Sequence, residues 1–136
     1  MELCDTEAAY AAGILDGEGS IVLTRCRKKR WASPVVSVAS TDRELLEWLR
    51  SRCGGTIVRK RTYQPQHSES FDWKLTDRQA LKFLQIVRPF MVVRRKIVRC
   101  DLLLSEYLAC TPRNGRYSAE MAKRKRELIE RFSSLP

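Results

Sequence analysis

The stretch Thr41-Asp42-Arg43-Glu44-Leu45-Leu46-Glu47-Trp48-Leu49 returns as Thr76-Asp77-Arg78-Gln79-Ala80-Leu81-Lys82-Phe83-Leu84, an offset of 35 residues from 41 to 76. Each copy opens on Thr-x-x-Glu/Gln, a capping box that can satisfy free N–H groups at a helix start. Each then places apolar residues at helical spacing. The first helix is predicted to stop at Gly54-Gly55 and the second before Pro89. Strand-like sequence precedes both. Ile21, Leu23, Val36 and Val38 lie in two runs joined through a basic tip and Pro34. Thr56–Tyr63 and Ser70–Leu75 come before the second copy, and there Phe71, Trp73 and Leu75 alternate with Asp72 and Lys74. Two ββα units are the predicted frame.

A helix from about Thr6 to Asp16 stands in front of the repeat. On a 100° wheel Ala8, Ala9, Ala12, Gly13 and Asp16 fill one arc, and Tyr10, Ala11, Ile14 and Leu15 fill the other. The larger side is predicted to pack on the sheet. The small side suits a second helix at very short range, because Gly13 inside a helix costs about 1 kcal/mol without a packing reason. After the repeat, Arg94–Cys110 is predicted to be a helix and residues 111–115 a loop. A last helix runs from about Ser118 to Phe132, with Met121, Leu128, Ile129 and Phe132 on one side. The run Lys123-Arg124-Lys125-Arg126 within it is expected to be a solvated face. His67 and the Gln64–Glu69 stretch read as a hairpin loop without evident chemistry. No low-complexity linker divides the chain, so one domain over residues 1–136 is expected.

Charge narrows the function. The net charge is +10, yet residues 1–20 carry Glu2, Asp5, Glu7, Asp16 and Glu18 and no base. All 26 Lys and Arg, with the other eleven acids, fall later, so residues 21–136 hold +15. A basic body with an acidic entry implies a polyanionic partner plus a separate site that wants negative charge. Arginines outnumber lysines 18 to 8, which favours phosphate and guanine recognition. No apolar run approaches the roughly 18 residues of a membrane span, and the acidic opening is unlike a signal peptide. Five cysteines form no CxxC pair and there is one histidine, so neither a zinc quartet nor a histidine-based triad can be drawn. The odd thiol count points to a reducing intracellular compartment, and the arginine excess, which GC-rich coding would also produce, to a bacterial or phage-encoded cytoplasm. Any catalytic centre is left to carboxylates.

The segment Ala11-Ala12-Gly13-Ile14-Leu15-Asp16-Gly17-Glu18-Gly19-Ser20-Ile21 resembles the signature of the LAGLIDADG homing endonucleases. It keeps both glycines after the first acid, and departs by Ala11 for leucine and Glu18 for the second aspartate. Arg88-Pro89-Phe90-Met91-Val92-Val93-Arg94-Arg95-Lys96 is similar to the family's Pro-aromatic-apolar-basic segment, so the resemblance covers about residues 5–110. It implies an α+β fold of αββαββα order, with an antiparallel saddle-shaped sheet and extra C-terminal helices. The implied activity is site-specific, divalent-metal-dependent hydrolysis of a long, near-palindromic double-stranded DNA. One motif per chain implies a homodimer, here through Ala9, Ala12, Gly13 and Asp16. Neither a membrane nor a nucleotide cofactor is implied.

By position in the motifs, Glu18 is the implied metal ligand, together with the Gly17 backbone carbonyl. Asp16 is more structural. Ser40 stands where the family keeps a supporting polar residue, and Arg94 where it keeps a catalytic lysine, with Lys96 two residues on. The implied cofactor is Mg²⁺, with Mn²⁺ or Ca²⁺ able to substitute for binding. Physical chemistry agrees: a carboxylate at a helix C-terminus, doubled by a symmetric copy, is unfavourable until cations neutralise it. The implied DNA-reading face takes alternating residues of the strands. These are Ser20, Thr24, Lys28 and Arg30 on the first, Ser37 on the second, Arg59 and Arg61 on the third, and Asp72 and Lys74 on the fourth. A second reading stays open, a non-catalytic binder on the same scaffold, either an intron RNA maturase or a DNA-binding regulator. Ser40 and Arg94 leave room for it, while retention of Glu18 favours the nuclease.

Overall fold

The computed structural model describes residues 1–25, 27–60 and 68–136. Helix α1 (Asp5–Glu18) runs directly into strand β1 (Gly19–Thr24), which pairs with β2 (Ser33–Ser40). Helix α2 (Arg43–Cys53), strands β3 (Thr56–Arg59) and β4 (Phe71–Thr76) and helix α3 (Asp77–Val87) repeat the pattern. A 3₁₀ turn at Arg88–Phe90 leads to α4 (Arg94–Glu106), and a second at Leu108–Cys110 precedes α5 (Ala119–Ser133). The order is αββαββα with two further helices. The four strands lie in the order β1-β2-β4-β3, every neighbouring pair antiparallel.

Register follows from the alternation in sequence. Ile21 pairs with Val36, Val36 with Leu75 and Val38 with Trp73, so these side chains share one face. All five are at most 1% exposed, and α1, α2, α3 and α4 cover that face. A one-residue slip would turn the whole set to water, which is why a one-sided sheet holds its register so firmly. Leu49 and Leu84, equivalent in the repeat, are both fully buried, and the Trp73 and Phe83 rings meet edge-on at 5.5 Å. The turn after α2 needs glycine twice. Gly54 and Gly55 have φ of 80° and 90°, and a Cβ on Gly55 would lie 2.5 Å from the Lys74 carbonyl. That close approach lets Trp73 Nε1 donate to the Gly54 carbonyl at 2.8 Å.

Several boundaries differ from the sequence expectations. Helix α1 continues to Glu18, so this acid sits in the last helical turn and not beyond it. Its buried stripe is Ala8, Ala11, Ala12 and Leu15, the i, i+3, i+4, i+7 set. Tyr10, expected inside, is 55% exposed and packs edge-on against Trp48 of α2 at 5.0 Å. Helix α2 begins one residue late: Asp42 is its N-cap, and the Asp42 amide donates to Ser40 Oγ at 3.0 Å, so the Thr41–Glu44 box does not form. The second copy does start at Thr76, without a side-chain cap and with Asp77 at φ 55°. Strand β1 ends at Thr24, and the basic residues Arg25, Arg27, Lys28, Lys29 and Arg30 fall in the connection that follows. Helix α4 stops at Glu106, and the predicted last turn is the 3₁₀ segment. Lys125 is not solvated but fully buried. Arg61, His67 and most of the Gln64–Glu69 stretch lie outside the described residues.

Candidate active site and nucleic-acid interface

The two motifs of the sequence meet at the C-terminal end of α1. Asp16 Oδ2 accepts from the Val92 amide at 2.8 Å and Oδ1 from the Val93 amide at 3.2 Å. Those two amides belong to the residues just before α4, and Val93 is its N-cap, so the Asp16 carboxylate stands at the electropositive start of that helix. In the other direction, Lys96 Nζ donates to the Leu15 carbonyl at 2.8 Å and the Asp16 carbonyl at 2.7 Å. A helix leaves its last carbonyls without partners, and a cation is the favourable cap. The junction is therefore stitched twice, once by Asp16 reaching into α4 and once by Lys96 reaching back into α1.

This corrects the part expected of Lys96. It is 5% exposed and its donors point inward, so it positions the acidic turn and does not present a cation to solvent. Burial, with Arg95 beside it, holds its ammonium below the ordinary lysine range, while Asp16 and Glu18 pull the other way. Arg94, between the two stitches, is exposed. Asp16 makes its bonds within its own protomer.

Glu18 and Gly17 are both exposed on the last turn of α1. Among the described residues no three His, Cys, Asp or Glu side chains gather as a metal cluster, so the described part of one chain does not close a ligand set around Glu18. The Gly17 carbonyl is among the last-turn carbonyls that have no partner within the helix. Gly19 pairs with Val38, which puts Ser40, two residues on, at the same end of the sheet as Glu18. The Ser40 hydroxyl already accepts from Asp42.

The sheet face turned away from the helices mixes polar side chains with Val22, Val35 and Val58. Ser20 and Ser37 are paired across the strands, with their hydroxyls 2.8 Å apart. Thr24, Asp72 and Lys74 share that face by alternation. Lys28 and Arg30 are exposed in the β1–β2 connection and not on a strand. Arg59 is a correction: it pairs with Phe71, whose side chain is buried on the helix side, so Arg59 has the wrong parity for the open face and is ion-paired with Glu69. The open-face residues of this edge are Thr56 and Val58, and Lys60 follows in step and lies 3.5 Å from Asp72. Sequence reading missed Lys60 because strand parity on β3 is set by pairing with β4. Only the Lys60–Asp72 charge complementarity hinted at it.

On α1 the outward small residues are Ala9, Gly13 and Gly17, spaced four apart. A Cβ built on either glycine meets nothing within 4 Å. Ala12, expected on this face, is 0% exposed within the single chain and belongs to its own core.

The αββαββα order with a one-sided antiparallel sheet is a fold that the chain shares with solved LAGLIDADG homing endonucleases. No family model matches the chain, and no curated protein sequence matches it. Solved structures do. The homing endonuclease I-CvuI, determined in complex with its target in the presence of Ca, superposes with a TM-score of 0.75 at 17% identity, covering 96% of this chain and 82% of that one. I-TnaI, another homing endonuclease, gives 0.65 at 18% identity over 98% and 90%. The LAGLIDADG homing endonuclease I-GzeII, in complex with a DNA target, gives 0.65 at 18% over 95% of this chain but 44% of its own length.

Proposed function

We propose that the chain is a homodimeric LAGLIDADG homing endonuclease that cuts both strands of a long, near-palindromic DNA by divalent-metal-dependent phosphodiester hydrolysis. The observation that carries this reading is Glu18. It is an exposed carboxylate on a turn held by Asp16 and Lys96, at one end of the open sheet face. The outward stripe Ala9, Gly13 and Gly17 would let the same helix of a second copy approach closely, bringing two Glu18 carboxylates together. Hard oxygen donors of this kind fit Mg²⁺, with Mn²⁺ or Ca²⁺ able to replace it in binding. Glu18 and the Gly17 carbonyl would hold the ion beside a scissile phosphate. Bound there, it would activate water and stabilise the charge of the leaving oxygen. Arg94 would lend a fixed positive charge to that phosphate, and the open sheet face would enter the major groove, where Lys74 and Lys60 can reach phosphate or guanine.

Glu18→Gln tests the reading. The mutant keeps shape and hydrogen bonding but loses the metal-binding charge, so it should bind flanking DNA at least as tightly as wild type without Mg²⁺. Its cleavage should fall by orders of magnitude. A gel-shift titration beside a Mg²⁺ cleavage time course measures both, and full cleavage by the mutant would sink the assignment. The engaged hydroxyl of Ser40 and the arginine at position 94, which cannot shuttle protons, favour the binder as second reading. Tight binding by wild type with no cleavage in Mg²⁺ or Mn²⁺ would select it.

A further inference from the structure

At the end of the sheet away from Glu18 lies a groove of about 1020 Å³, of whose lining the nuclease reading uses Arg30 alone. Thr24 pairs with Ser33 there, a strand length of about 20 Å from the acidic turn. Five cations line it: Arg27, Lys29 and Arg30 from the β1–β2 connection, Arg78 from α3 and Arg113 from the loop before α5. Asp77 is the lone lining carboxylate. Among the described residues none of the five cations is ion-paired, whereas seven cations elsewhere are. The start of α3 also opens on the groove without a side-chain cap, adding its positive dipole end.

The walls are aromatic. Trp31 and Tyr117 stack at 4.9 Å with an interplanar angle of 30°, and Tyr107 lines the same space. Beneath them Lys125 is buried, its Nζ 3.8 Å from the Tyr107 ring centre and 5.5 Å from that of Tyr117, and bonded to Thr111 Oγ1. Lys125 thus fixes the two tyrosines and their loop to α5, giving a preformed wall.

We propose that this groove binds unpaired nucleotides, a single-stranded nucleic-acid segment whose phosphates meet the five cations and whose bases stack on the Trp31–Tyr117 wall. A duplex needs cations alone, because its bases are already stacked within it. A concave site with indole and phenol faces gains from a base only when that base is free. The shared chemistry is a strand of unpaired phosphonucleotides, supplied either by RNA or by one displaced strand of DNA.

Anisotropy titrations of the full chain with fluorescein-labelled 12-mers of mixed sequence, as RNA, as single-stranded DNA and as duplex DNA, test this. Single strands should bind and quench tryptophan fluorescence. Trp31→Leu should weaken single-strand binding about tenfold or more and change duplex binding less than twofold. Should that variant fold poorly, Arg113→Glu, on an exposed loop, should show the same split. RNA binding at least tenfold tighter than single-stranded DNA would identify RNA as the source, the reverse preference a displaced DNA strand, and equal binding a groove that takes either through the phosphates and bases they share. Equal loss of duplex and single-strand binding would overturn the proposal by making the groove a duplex contact. So would no loss of either, or displacement of the RNA by polyglutamate at equal charge concentration. None of these outcomes depends on Glu18 or on cleavage.

Discussion

Lys125 is the residue where burial and charge oppose each other most openly. Burial pushes its ammonium down from 10.5 to about 8, although the Tyr107 ring favours the charged form. Between those values the unfolded chain holds a proton that the folded chain has released, so stability rises with pH across the window, by up to roughly 3 kcal/mol. The buried thiols oppose this at higher pH. Cys53 and Cys100 are pushed from 9.0 up to about 11 and about 12, so the unfolded state loses their protons first and stability falls from about pH 9. Urea melts at pH 7.5, 8.5 and 9 should therefore show wild type holding or gaining stability and Lys125→Met losing it, since only the thiols then titrate; equal slopes would remove Lys125 from the account. At the other junction, Lys96→Met leaves two α1 carbonyls uncapped and should cost about 1–3 kcal/mol, read as a shifted urea midpoint. Arg94→Ala, by contrast, should leave the midpoint in place and slow single-turnover cleavage with little loss of binding. Arg94→Lys should keep or raise the rate. An unchanged rate in Arg94→Ala would take this side chain away from the scissile phosphate.

Two positions one residue apart on α1 separate element from assembly. Gly13 faces out with open space around it and Ala12 faces its own core. Gly13→Leu should therefore leave the protomer folded but weaken self-association, since overpacking costs about 1–3 kcal/mol and recurs by symmetry. Ala12→Leu should lower the stability of the protomer itself. Sedimentation and thermal melts together tell these apart, and a wild type that is monomeric at micromolar concentration would defeat the shared-helix argument. The sheet offers a similar contrast. Lys74→Ala removes an open-face cation and should relax base preference in a binding-site selection. Arg59→Ala, on the helix-side parity, should leave preference unchanged, and the reverse pattern would mean that the register on β3 does not decide recognition.

At the scale of the whole molecule, charge dominates. With +10 overall and the excess after residue 20, DNA binding should fall steeply with salt, by about 0.9 in log K per log salt for each phosphate contacted. A plot of log K against log salt with a slope near zero would show that contacts other than phosphate hold the complex.

Alternation and helical spacing were enough to read the αββαββα order, because Ile21, Val36, Val38, Trp73 and Leu75 can be buried together only one way. The acids of α1 were legible as a candidate site, since a basic chain that gathers acids at one helix end singles out Asp16-Gly17-Glu18. Tertiary structure decided what local pattern cannot encode. Which arc of α1 is buried depends on the elements packed against it, so Ala12 turned inward and Tyr10 outward. The parity of Arg59 depends on a partner strand, and the parts played by Lys96 and Lys125 depend on carbonyls and rings contributed from elsewhere in the chain. A lysine in sequence looks like a surface charge; only the neighbours brought to it by folding show whether it meets water, a helix end or an aromatic wall.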